Sequence, residues 1–176
     1  MPHIVFEALF PGVQPPSRAT AGSAGYDLAV HLADRRVRVW RDGMLEERDV
    51  ALHSGEATLV LAPGEKALVP LGFRARLPDG FEAQIRPRSG TSVKTDLVIV
   101  NSPGTVDGDF PDEWCVPVRN GGAAALRIAH GDRVAQMVIA RYESLDFAPG
   151  VVARSTDRRG GFGSTDGASR PVPGAE

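Results

Sequence analysis

A single cysteine, Cys115, leaves this chain without an intramolecular disulfide, so the fold must be held by its own core. At 176 residues that is feasible, because a domain of this size buries roughly 70% of the surface its unfolded chain exposes. No charged-then-apolar leader and no apolar run of about 18 residues occurs, which predicts a cytoplasmic protein outside the membrane. Charge of one sign is also lacking. With 20 Lys and Arg against 22 Asp and Glu, the chain has no excess of cations for a general nucleic-acid surface, whose affinity comes from neutralising many phosphates. A small anionic ligand, by contrast, needs only a few local cations.

What is abundant is glycine and proline, 20 and 14 residues, set between short segments rich in Val, Leu and Ile. That pattern predicts strands separated by turns and excludes a helical bundle. Strands are expected at 3–9, 26–32, 36–40, 46–52, 57–61, 66–70, 72–77, 80–86, 96–100, 113–119, 124–128 and 133–142, with helix possible only near 89–96. The spacing suits an all-β, jelly-roll-like barrel or sandwich. Segment 34–52 reads as an exposed β-hairpin turning at Asp42-Gly43, with Glu46 and Glu47 placed to pair with Arg36 and Arg38 across the strands. It is expected to be a solvated face and not a basic patch for nucleic acid. From about residue 150 apolar residues almost vanish, so 1–150 is expected as the β domain and 151–176 as a flexible arm.

The chemistry-bearing residues concentrate at 84–110. Arg88-Ser89-Gly90 offers a guanidinium, a hydroxyl and an unobstructed backbone amide in succession, which together suit phosphate oxygens. The same residues equally suit a strand-to-turn junction with a surface arginine. Asn101-Ser-Pro-Gly104 and Asp107-Gly-Asp109 read equally as polar hairpin tips or as ligand-binding groups.

Five such pieces occur in one order. Ala24-Gly-Tyr-Asp-Leu28, Pro87-Arg-Ser-Gly90, Gly104-Thr-Val-Asp-Gly-Asp-Phe110, Gly131-Asp-Arg-Val-Ala-Gln-Met137 and Gly160-Gly-Phe-Gly-Ser-Thr165 span most of the chain. In that order and spacing the sequence resembles the trimeric dUTPase family. The resemblance implies hydrolysis of dUTP to dUMP and pyrophosphate, which keeps uracil out of DNA and supplies dUMP for dTMP synthesis. Asp107 would be the general base that activates water, and Asn101 with Gly104, Thr105 and Val106 would read uracil. Phe110 would lie on the deoxyribose and exclude a 2′-hydroxyl. Arg88, Ser89, Gly90 and Gln136 match phosphate-contacting positions, with Arg88 equally able to brace the site through Asp27. Mg2+ would be held mainly by the substrate phosphates, with Asp27 acting through water, and few histidines accord with the lack of a protein cage. The last motif would be a lid in which Phe162 stacks on the base, Gly163 and Ser164 approach the ligand, and Arg158 or Arg159 reaches the γ-phosphate. A homotrimer with shared sites is implied.

The sequence departs from the family pattern at four places. Phe110 replaces the usual tyrosine, and Pro111-Asp112-Glu113 stands where an Arg-Gly-Glu type turn is common. One residue fewer separates Arg158 from Phe162, and 34–52 is an insertion. Two alternatives are a dCTP deaminase and a nucleotide-binding regulator without turnover. The deaminase needs a glutamate on the strand after the third motif, where Trp114–Asn120 offers Pro117 and no acid. An intact Asp107 speaks against the regulator.

Overall fold

The computed structural model describes residues 2–156. The strands are short, as the density of turn residues requires. The first are β1 (Val5–Ala8), β2 (Ser17–Arg18), β3 (Gly25–Ala29), β4 (Arg36–Arg41), β5 (Met44–Asp49), β6 (Ala51–His53), β7 (Glu56–Leu61) and β8 (Lys66–Pro70). They continue with β9 (Phe73–Arg76), β10 (Phe81–Pro87), helix α1 (Ser89–Lys94), β11 (Leu97–Ile99), β12 (Gly104–Val106), β13 (Cys115–Asn120), β14 (Leu126–Ala129) and β15 (Arg133–Arg141).

Two five-stranded sheets, ordered β12-β10-β15-β3-β2 and β11-β13-β8-β4-β5, carry most of the core. A three-stranded sheet, β14-β7-β6, and the β1-β9 pair complete the jelly-roll-like arrangement. Period-2 alternation decides which side chains enter the core. In β13, Val116 and Val118 are buried between less buried Cys115 and Pro117. In β3 and β15, Leu28, Val134, Ala135 and Met137 join the same cluster. The sole helix among the described residues lies within the expected 89–96 window and buries no side chain.

The hairpin at 34–52 forms, with Asp42 at φ 50° and Gly43 at φ 82°, the double positive-φ geometry that suits a two-residue turn. It is not merely an exposed ribbon. Val37 and Val39 are buried in the main core, because β4 pairs with β8 and so extends a core sheet. Burial of each valine contributes roughly 1.5–3 kcal/mol. The return limb divides at Val50, and the single strand expected at 46–52 becomes β5 and β6 in different sheets.

The hairpin is also tied down by charge. Glu65, only 1% exposed, accepts from Arg41 Nη2 at 2.7 Å, from Arg48 Nη1 and Nη2 at 2.9 Å each, and from the Ala62 amide at 2.8 Å. Arg48 pairs additionally with Glu46, and Arg36 with Glu47 and Asp49. Of the pairings expected across the hairpin, Arg36 with Glu47 forms, whereas Glu46 turns to Arg48 on its own strand, Arg41 goes to Glu65, and Arg38 has no carboxylate partner among the described residues; Arg48 and Glu65 join from positions that the hairpin pattern did not single out. Hydrogen bonds from Arg48 chiefly, with help from the Ala62 amide and the charge of Arg41, hold the Glu65 carboxyl down to about 2 against the cost of burial.

Contacts divide the chain into two compact units, Met1–Glu143 and Ser144–Glu176. In the second, the described residues 144–156 form neither helix nor strand.

Candidate active site

Residues 101–110 fold back on the first sheet because β12 pairs with β10, with Ala83 opposite Val106, Gln84 opposite Thr105 and Ile85 opposite Gly104. Asn101 begins the turn before β12, which includes a cis Ser102-Pro103 peptide. The Phe110 amide donates to the Asp107 carbonyl at 3.2 Å, closing a second turn after it, and the Leu77 amide donates to the Gly108 carbonyl at 3.0 Å. These bonds place Asn101, Gly104, Thr105, Val106, Asp107 and Phe110 on the wall of one cavity of about 440 Å³.

Within that cavity the Asp107 side chain is exposed, and its carboxylate has no ion pair among the described residues. Phe110 is 40% exposed, so its ring is a wall of the cavity and not a core aromatic. A Cβ on Gly104 would lie 2.8 Å from Asn101 Nδ2, so any side chain there would displace the Asn101 amide. Cys115 and Pro117 of β13 also line the space. Burial, reinforced by the charge of Glu113, pushes the Cys115 thiol up to about 11, so it stays protonated and unreactive at neutral pH.

The segment that departs from the family pattern has its own anchor. Glu113 receives Arg35 through two bonds of 2.7 and 3.1 Å and the Gly72 amide at 2.9 Å. The 34–52 hairpin and the end of the 107–113 segment are thereby tied together.

A second polar group forms where β3, β10 and β15 lie side by side. Asp27, opposite Gln136 in the ladder, accepts from Arg88 at 2.7 and 3.2 Å and from Arg133 Nη1 at 3.0 Å. Gln136 Nε2 donates to the Pro87 carbonyl at 2.8 Å. The Gln136 amide also packs on Gly25, where a Cβ would fall 2.1 Å from Gln136 Oε1 and push that side chain aside. Ser89 and Gly90 are exposed on the first turn of α1, next to Arg88.

The expected site residues therefore gather in two places on one chain. Asn101, Gly104, Thr105, Val106, Asp107 and Phe110 share a cavity, while Asp27, Arg88 and Gln136 share a hydrogen-bonded cluster with Ser89 and Gly90 beside it. Arg158, Arg159, Phe162, Gly163 and Ser164 lie outside the described residues. Arg133 was not singled out from the sequence, although it stands in the fourth motif; its bond to Asp27 appears only once β3 and β15 are paired. Arg38 of β4 also lines the cavity and carried no signal beyond its place in a charged run.

Comparison with known proteins settles the family. The dUTPase family model matches residues 50–166. The chain belongs to the dUTPase family. The deoxyuridine 5'-triphosphate nucleotidohydrolase of Roseobacter denitrificans is 45% identical over 120 residues, covering 68% of this chain and 79% of that one. The protein of the same name from Caulobacter vibrioides is 38% identical over 151 residues, 85% of this chain and 84% of its own length. Among solved structures, a variant dUTPase of Staphylococcus bacteriophage 80alpha with dUpNHpp overlays with a TM-score of 0.70 at 23% identity, covering 93% of this chain and 98% of that one. A dUTPase of phage phi11 of S. aureus, described with a structural Mg(II) ion, gives 0.66 at 21% identity, covering 87% and 99%. At those identities the structural likeness establishes the dUTPase fold.

The donors present suit a magnesium ion carried in on phosphates. Among the described residues no three His, Cys, Asp or Glu side chains converge as a metal cage. Both Asp27 oxygens are engaged by guanidiniums, which leaves the carboxylate suited to an ion's water ligands and not to direct ligation.

Proposed function

We propose that this dUTPase-family chain hydrolyses dUTP to dUMP and pyrophosphate, with Asp107 as the general base. The observation that carries the reading is an exposed carboxylate, without an ion pair among the described residues, on the same cavity wall as Asn101 and Phe110. In the proposed reaction Asp107 takes a proton from a water whose oxygen attacks the α-phosphorus in line, and pyrophosphate leaves. Asn101 and the backbone of 104–106 read the uracil edge, where an amide complements O4 and N3–H and cytosine presents a donor instead. Phe110 lies against the deoxyribose and gives a 2′-hydroxyl neither room nor partner. When bound, Mg2+ offsets charge on the phosphate oxygens. Asp27 holds Arg88 and Arg133 in place beside Ser89, Gly90 and Gln136, which bind phosphate.

The site is completed between copies of the chain. The base-reading cavity and the phosphate cluster occupy different parts of one subunit, and a homotrimer with shared sites would let one copy's cluster serve another's cavity. The segment 151–176 acts as a lid over it, Phe162, Gly163 and Ser164 covering the nucleotide and Arg158 or Arg159 reaching the γ-phosphate. The place of action is the cytoplasm; no helix among the described residues is long and apolar enough to cross a membrane.

Purified protein with magnesium is expected to release pyrophosphate from dUTP much faster than from dCTP, dTTP or UTP. Ammonia release from dCTP would identify a deaminase instead, against which the lack of an acid in β13, Cys115–Asn120, argues. Tight dUTP binding without turnover would identify a regulator. Gly104→Ala offers a local test of the base-reading role of Asn101. The added methyl displaces the Asn101 amide, and kcat/KM for dUTP is expected to fall at least about tenfold, since misplacement by an ångström can cost 10²-fold. An unchanged rate with dUTP would remove Asn101 from the reading.

A further inference from the structure

The inserted hairpin carries five arginines, Arg35, Arg36, Arg38, Arg41 and Arg48. Four are neutralised: Arg35 by Glu113, Arg36 by Glu47 and Asp49, Arg41 by Glu65, and Arg48 by Glu46 and Glu65. Arg38 alone of the five has no carboxylate partner among the described residues. Its cross-strand neighbour is Glu47, but that carboxylate is engaged by Arg36 Nη1 at 3.3 Å. Arg38 is also the member of this set whose side chain lines the Asp107 cavity together with Asn101 and Phe110.

The chemistry of that cavity asks for a cation. Its walls include apolar Leu68, Ile85 and Pro117, which suit a neutral base and sugar, and two carboxylates without ion pairs among the described residues, Asp107 and Asp112. A phosphate chain brought near those carboxylates meets like charge, on the order of 1 kcal/mol per pair at 4 Å even in bulk water. Arg38 is the one cationic side chain on the described wall. Its exposed side chain offers the planar donor fork that fits phosphate oxygens, and no acceptor among the described residues occupies it.

We propose that Arg38 is a substrate-binding residue that holds phosphate oxygens of the nucleotide next to Asp107. The assignment rests on the reading of this cavity as the dUTP site and adds a residue from the insertion. Arg38 lies upstream of residues 50–166, the part that the family model matches, so the matched segment does not contain it. The hairpin thus contributes to substrate affinity as well as to the core.

The test uses the full chain with magnesium. Arg38→Gln is expected to raise KM for dUTP about tenfold with kcat within about twofold, the loss of one charge-assisted contact. Inhibition by deoxyuridine, which has no phosphate, should be unchanged, and Arg38→Lys should recover part of the loss. The rise of wild-type KM with added KCl should flatten in Arg38→Gln. Arg36→Gln, whose guanidinium is already paired, should behave as wild type. An unchanged KM in Arg38→Gln, equal weakening of deoxyuridine and dUTP, or a fall in sedimenting mass would overturn the proposal; the last would make Arg38 a contact between copies. Wild-type protein that releases no pyrophosphate from dUTP would sink the underlying reading, and the proposal with it.

Discussion

Asp107→Asn is expected to lower kcat for dUTP by roughly 10²–10⁴-fold, the range associated with loss of a positioned general base. Affinity for a non-hydrolysable dUTP analogue should remain near that of the wild type. The asymmetry follows from the geometry. Asp107 is exposed on the cavity wall and takes part in the fold through its backbone carbonyl, which accepts from the Phe110 amide. An asparagine preserves that bond and the side-chain shape while removing the basic oxygen. Single-turnover hydrolysis and analogue titration on the same preparation separate the two effects, and a near-normal single-turnover rate would assign the base elsewhere.

The second large effect is on stability. Glu65→Ala should destabilise the chain by about 2–3 kcal/mol, because Arg41 and Arg48 lose their shared acceptor and the Ala62 amide loses its partner. Denaturant unfolding measures this directly. The pH dependence carries an independent sign. Glu65 is depressed from 4.5 to about 2, so its contribution is fully present above about pH 4.5 and disappears as pH falls towards 2. A depression of that size corresponds to about 3 kcal/mol. The stability gap between wild type and Glu65→Gln should therefore be constant near neutrality and narrow between about pH 5 and 2. A gap that does not narrow would mean that the charge of Glu65 is not what holds the hairpin.

Most of the strand framework was legible because its signals are local. Alternation in β13, the apolar run of β15 and the Asp42-Gly43 turn each declare themselves within a few residues. Strand β12 did not. Gly104-Thr-Val106 follows Ser102-Pro103 and reads as part of a turn; it becomes a strand only through pairing with β10, some twenty residues earlier in the chain. Glu65 was equally silent, since Pro63-Gly64-Glu65 looks like an exposed turn and its arginine partners lie 24 and 17 residues away. The same holds at the site. The ordered motifs pointed to Asp107, Asn101 and Asp27, whereas Arg133 and Arg38 gain meaning only from what the sheets bring beside them.

With this cluster as the proposed phosphate site, the clamp on Asp27 bears on how fast and how selectively an anion would be captured. Two arginines are among the most rotamer-rich side chains in a protein, and freezing them around an incoming phosphate would cost roughly 0.5–1.5 kcal/mol each. Here one carboxylate, 18% exposed, fixes both guanidiniums in the folded chain and cancels only one of their two charges. On the proposed reading, that ordering precedes the arrival of the nucleotide, and a net positive charge remains on the pair to meet its phosphates.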